Sequence, residues 1–129
     1  MLQRVQTKAP ITVLIAARET MRTRLEKAVA AAGLTLTADC ATAAEAIAAA
    51  AQRQPDLCLV DGDLPGGALA ATAAITRPPP APKVLIIGGH GSDAEHRATL
   101  LAGATTYLRG TADDTQLAAA INALAHAGS

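Results

Sequence analysis

Residues 55–67 read PDLCLVDGDLPGG. Pro55 opens the segment, four apolar residues run from Leu57 to Val60, and Asp61 stands where the run stops. Gly62-Asp63-Leu64-Pro65-Gly66-Gly67 then has the composition of a turn. A short, wholly apolar run between turn signals suits a strand covered on both faces. The run Val84-Leu85-Ile86-Ile87 has the same character, and Ile11-Thr12-Val13-Leu14-Ile15 and Thr105-Thr106-Tyr107-Leu108 are close to it. The run Leu34-Thr35-Leu36-Thr37 alternates with threonine, which suits the edge of a sheet.

Between these runs lie Ala- and Leu-rich stretches with helical spacing. Met21, Leu25, Ala28, Val29 and Ala32 fall on one helical face, as do Leu117, Ala120, Ile121 and Leu124 on a later one. Strand and helix therefore alternate five times, the pattern of a parallel sheet with helices on both faces. Right-handed crossovers leave few topologies for it. The expectation is an α/β, flavodoxin-like (βα)5 doubly wound sheet of five parallel strands in the order 2-1-3-4-5. A six-stranded dinucleotide fold is disfavoured, because the chain is short and has no G-x-G-x-x-G after its first strand.

Helix boundaries carry their own signals. Thr42 to Glu45 and Ser92 to Glu95 fit the capping box, in which a hydroxyl caps an orphan N–H and a glutamate reaches back three residues. Thr111 to Asp114 is a looser version. Gly33 and Gly103 follow helical stretches where a left-handed cap is expected. Pro78 to Pro82 forms a stiff connector.

The chain has 129 residues, half of them hydrophobic, which fits one domain with one core. Residues 1–10 are expected to form a flexible arm and residues 11–127 the domain. Tyr107 is the only aromatic residue, so burial must come from Leu, Ile, Val and many small Ala contacts. Net charge is zero, which leaves no electrostatic footprint for nucleic acid or an anionic membrane. Any DNA contact would have to be made by another segment or chain. There is no signal peptide pattern and no apolar stretch long enough to span a membrane. Cys40 and Cys58 form no CxxC pair and read as small buried thiols. Together these features point to the cytoplasm.

In a sheet of this order, sites form where the first and third strands end side by side. The first strand ends in Ala16-Ala17, followed by Arg18 and Glu19, while the third ends in Asp61. From about Thr12 to Ala125 the chain resembles the receiver domains of bacterial two-component response regulators. The resemblance rests on Pro55-Asp56-Leu57, Leu59-Val60-Asp61 and Leu64-Pro65-Gly66, and on Ala102-Gly103-Ala104 leading to Tyr107-Leu108. It implies that Asp61 is the phosphoacceptor position and Tyr107 the switch aromatic. It also implies an acidic, Mg²⁺-holding pair after the first strand, but those positions hold Ala16 and Ala17, or Ala17 and Arg18 in the neighbouring register. The family's Thr or Ser after the fourth strand aligns with Gly88, and its Lys after the fifth with Gly110.

Phosphoryl transfer to a carboxylate requires neutralisation of charge on the transferring group. Mg²⁺ prefers an octahedral oxygen shell with one or more carboxylates, and alanine methyl groups supply no oxygen. No cofactor is expected on this ground. A rebuilt metal pocket would have to use Asp61, Asp63 and Glu19. Otherwise Asp63 and Glu19 are solvated loop acids. Arg18 or Arg109 could pair with Asp61. Two roles for Asp61 stay open: a structural carboxylate capping the next turn or paired with an arginine, and a residual phosphoacceptor. The loop Gly88-Gly89-His90-Gly91 lacks the P-loop pattern and reads as a flexible connector. His90, His96 and His126 lack metal-ligand spacing and read as surface residues.

The expectation is an atypical, degenerate pseudo-receiver: a non-enzymatic, phosphorylation-independent module for protein–protein interaction in signal transduction. It would be the regulatory part of a response-regulator transcription factor, working in the cytoplasm. Protein partners are expected, among them a second copy bound through the surface from the fourth to the fifth helix, roughly residues 92–125, and a histidine kinase. Neither nucleic acid nor membrane is expected to touch this domain. The alternatives are a working phosphoacceptor at Asp61 with a rebuilt pocket, and a flavodoxin-like small-ligand sensor using the crevice near Arg18.

Overall fold

A computed structural model of the chain describes residues 10–88 and 93–126. The strands are β1 (Thr12–Ala16), β2 (Thr35–Cys40), β3 (Leu57–Asp61), β4 (Lys83–Ile87) and β5 (Thr106–Leu108). The helices are α1 (Glu19–Ala31), α2 (Ala43–Arg53), α3 (Ala68–Thr76), α4 (Asp93–Leu101) and α5 (Asp114–Ala125). All strand pairs are parallel, and the sheet order is β2-β1-β3-β4-β5, the flavodoxin-like (βα)5 arrangement that the alternation implies. Ala16 lies opposite Val60, and Asp61 opposite Ile87. Asp61 therefore stands one position beyond the last paired residue of β1, at the end of the sheet where β1 and β3 stop together.

The sheet separates two apolar layers. On one side Leu14, Cys58, Val60, Val84 and Ile86 pack with Ala46 of α2 and Ala71 and Ile75 of α3. On the other, Val13, Ile15, Leu59 and Ile87 pack with Leu25 and Val29 of α1 and Leu117, Ile121 and Leu124 of α5. Every residue of β3 is buried, as expected for a central strand covered on both faces. Each fully buried Leu or Ile contributes roughly 1.5–3 kcal/mol, and the small side chains of α2 and α3 let those helices lie close to the sheet. Cys40 and Cys58 are free and buried. Burial pushes the Cys58 thiol up to about 12, so it stays an unreactive core residue.

β2 runs from Thr35 to Cys40, further than the apolar run at 34–37 suggests. It pairs only with β1, and the register shifts between Val13 and Leu14, so that Leu36 faces Val13 and Ala38 faces Leu14. An edge strand is only half covered, so hydrophobicity understates its length and Asp39 can sit within it. The helix caps differ in detail too. The Thr42 hydroxyl accepts from the Glu45 N–H at 3.2 Å, but the Glu45 carboxylate accepts from Ala41, one residue earlier than the capping box requires. At α5 the cap is Asp113, not Thr111. Asp113 accepts from the Gln116 N–H at 2.8 Å and Gln116 accepts in return from the Asp113 N–H at 2.9 Å. Aspartate is the stronger capping residue, and glutamine completes the box.

Gly33 and Gly103 have positive φ, as their positions after α1 and α4 require. The expected arm falls almost wholly on residues 1–9, outside the described residues, as do Ala127, the Ser92 cap and the loop residues Gly89, His90 and Gly91. Leu64-Pro65-Gly66 after β3 has a packing reason. The Ala43 N–H donates to the Pro65 carbonyl at 2.8 Å, and a Cβ on Gly66 would come within 2.9 Å of the Ala43 Cβ. The turn thus fits tightly against the start of α2. Among the described residues no helix is long and apolar enough to cross a membrane.

Candidate functional site

Asp61 has no exposed surface. Its Oδ2 accepts from the Arg18 Nε at 2.7 Å and from the Arg18 backbone N–H at 3.0 Å. Its Oδ1 accepts from the Arg18 Nη2 at 3.2 Å and from the Asp63 backbone N–H at 2.9 Å. An ionised carboxylate has about four lone-pair sites, and these four donors fill them. Arg18 supplies three, two of them in the fork geometry by which a guanidinium grips a carboxylate.

The local sequence explains the arrangement. Arg18 is the N-cap of α1 in extended conformation, and its side chain makes no cap hydrogen bond. Its own N–H points across the sheet end at Asp61, so the carboxylate also lies by the positive end of α1. Asp61 raises the Arg18 pKa through this hydrogen bond, partly opposed by burial.

The Asp63 carboxylate does not reach Asp61; only its N–H does. Its Oδ2 lies 3.6 Å from the Arg18 Nη2. Glu19, first residue of α1, is exposed, and Arg109 is exposed on the cleft rim without an ion pair to Asp61. Of the two arginines, Arg18 is the partner of Asp61. Among the described residues no group of three His, Cys, Asp or Glu side chains is placed to hold a metal ion. Ala16 and Ala17 are both fully buried, one in each apolar layer. The Mg²⁺ implied by the resemblance does not fit this corner: the Ala16 and Ala17 side chains offer no oxygen, and a guanidinium already fills lone pairs of Asp61.

At the other corner Gly88 ends β4 with φ 72°, and its N–H donates to the Leu108 carbonyl at 2.8 Å. Gly88 and Gly110 lie back to back. A Cβ on Gly88 would come within 3.4 Å of the Gly110 Cα, and one on Gly110 within 3.3 Å of the Gly88 Cα. The left-handed backbone at Gly88 disfavours any side chain, a β-branched one most of all. Tyr107 is half-buried, and the His96 ring stacks on it with centroids 4.1 Å apart and planes 24° from parallel.

His96 is therefore not the surface residue its spacing suggests. Its Nε2 is buried without a hydrogen-bond partner among the described residues. A lone histidine in a polar helix gives no signal of such a stack. Arg24 was equally silent in the sequence. It reaches from α1 to the β5–α5 loop, donating to the Ala112 carbonyl at 2.6 Å and to Asp114 at 2.9 Å. Between the two corners an open cleft of about 850 Å³ is lined by Arg18, Met21, Asp63, His96, Tyr107 and Arg109 with the two glycines, among others.

This fold has known relatives. A two-component response regulator of the LuxR family from an Aurantimonas species superposes with a TM-score of 0.80 at 27% identity, over 92% of this chain and 86% of that one. A DNA-binding response regulator of the LuxR family from Staphylococcus aureus gives 0.80 at 18%, over 90% and 99%. The receiver domain of a sensor histidine kinase from Pseudomonas aeruginosa, which has a magnesium ion coordinated in its active site cleft, gives 0.78 at 19%, over 91% and 98%. No curated protein sequence matches the chain. Residues 13–122 match the family model of the response regulator receiver domain, and the chain belongs to that family.

Proposed function

We propose that this receiver domain works as a phosphorylation-independent pseudo-receiver, a non-enzymatic interaction module of a cytoplasmic signalling protein. The observation that carries the proposal is the saturation of Asp61: a carboxylate whose lone pairs are filled by Arg18 and the Asp63 N–H is a poor nucleophile. The alanines at positions 16 and 17 and the glycines at 88 and 110 support it, since none has a side chain that can hold a metal ion or grip a phosphoryl group.

The module would be the regulatory part of a transcription factor, as the descriptions of the Aurantimonas and Staphylococcus neighbours suggest. The partner surface would be the α4–α5 side, where Leu101 is 83% and Leu100 42% exposed. A second copy is the occupant proposed there, and a histidine kinase would be a binding partner rather than a phosphoryl donor.

Intact-mass spectrometry after incubation with acetyl phosphate and Mg²⁺ tests the central claim. The wild type should gain no phosphoryl adduct over an Asp61→Ala control. An adduct on the wild type alone would overturn it. Sedimentation velocity tests the surface: Leu101→Asp should shift a wild-type dimer to monomer, and a wild type that stays monomeric would remove the dimer from the proposal.

A further inference from the structure

We infer that the Arg18 guanidinium is the resident cation of this site, neutralising Asp61 in place of a divalent metal and excluding one. The inference rests on the pseudo-receiver reading but is tested apart from it. A cation here has two carboxylates to serve. Arg18 meets Asp61 through Nε at 2.7 Å and Nη2 at 3.2 Å, and the same Nη2 lies 3.6 Å from the Asp63 Oδ2.

A guanidinium is suited to this place. It is planar, grips a carboxylate at two points, and holds its charge at every physiological pH. Its weaker hydration also makes burial beside a carboxylate less costly than for an ammonium. A metal ion could approach Asp61 only after Arg18 had let go of both oxygens, because no lone pair is left over. It would then have the Asp61 and Asp63 carboxylates to bind, with no side-chain oxygen from Ala16 or Ala17. Arginine and metal are therefore alternatives.

The two ends of the pair are unequally placed. The Arg18 side chain is 39% exposed and the Asp61 side chain not at all. Cutting the arginine therefore strands a buried charge, whereas cutting the carboxylate releases an arginine that can turn to water. A stranded carboxylate, with Asp63 beside it, should take a divalent ion as its next best counter-charge.

Thermal unfolding of the wild type, Arg18→Gln and Arg18→Gln/Asp61→Asn, each with and without millimolar Mg²⁺ or Mn²⁺, tests this. The wild-type midpoint should not move with either ion. Arg18→Gln should melt about 8 °C lower and recover part of the loss with Mn²⁺, and the double variant should not respond to metal. A wild type stabilised by either ion overturns the inference, as does an Arg18→Gln protein that melts like the wild type. If Arg18→Gln does not fold, Mn²⁺-induced broadening of the Gly62 and Asp63 amide resonances in the wild type decides alone: no broadening upholds the inference and broadening overturns it. A phosphoryl adduct with a metal-silent wild type would sink the pseudo-receiver reading and leave this one standing. A metal-responsive wild type without an adduct would do the reverse.

Discussion

The two corners of the cleft are built in opposite ways. At the β1–β3 corner a charged side chain dominates. Arg18 fills the space above Asp61 and consumes its lone pairs. At the β4–β5 corner the facing residues have no side chains, and the backbones at Gly88 and Gly110 lie close together. The first arrangement turns on one ion pair, while the second is built into the path of the chain, because φ at Gly88 is 72°. On the proposed reading both stop the phosphoryl signal, but only the Arg18 contact is released by a single substitution.

The sharpest way to break this comparison is to empty the first corner. Arg18→Ala should cost about 3 kcal/mol in chemical denaturation, because it strands a buried carboxylate. Asp61→Asn should cost only about 1 kcal/mol, since the amide keeps an acceptor and the freed arginine reaches water. Equal costs would mean that the ion pair is no more than a surface contact. Filling the second corner comes next. Gly88→Thr should lose about 2 kcal/mol through backbone strain at positive φ and the contact with Gly110. A threonine tolerated at no cost would show that this backbone can relax, and that the corner is as reversible as its neighbour. A smaller loss, about 1 kcal/mol, is expected for His96→Ala, which removes the stack on Tyr107. The tyrosine's near-ultraviolet dichroism should change with it, and an unchanged signal would place the ring's anchorage elsewhere.

The fold was legible because its signals were redundant. The apolar runs at 57–60 and 84–87 are buried on both faces, and several elements had their own boundary residues, so one weak signal, such as the short reading of β2, did little harm. Of the candidate site, residue type showed only what the side chains lack. That the side chains of Ala16, Ala17, Gly88 and Gly110 offer no metal ligand or phosphate donor follows from residue type alone. That Arg18 and not Arg109 meets Asp61 does not. Both flank the same cleft, and the choice depends on Arg18 capping α1 with its N–H already turned toward Asp61. The φ at Gly88 and the His96–Tyr107 stack are tertiary facts with no periodicity or motif to announce them. Asp113 outcompeting Thr111 as the α5 cap was within reach, since Gln116 stands three residues on and completes the box.

The smallest expected effect separates the cleft from the sheet edge. Asp39 on β2 has its pKa pushed up to about 6, first by burial and then by a hydrogen bond to Glu26, against the pull of Arg22, whose Nε lies 3.8 Å away. The folded chain thus holds this proton more tightly than the unfolded chain does. The stability this brings is fully present below about pH 4 and fades as pH rises through 6. With the side chain 29% exposed, solvent screening should leave at most about 1 kcal/mol of it. Arg18 stays charged over the whole interval, its pKa being raised and not lowered. Asp39→Asn should therefore flatten the fall in stability between pH 4 and 6, while Arg18→Ala should lower the curve and leave that slope in place. If the slope instead survives in Asp39→Asn and disappears in Arg18→Ala, the titrating group belongs to the cleft, and the Arg18 charge at the β1–β3 corner is not the fixed one that the ion-pair geometry implies.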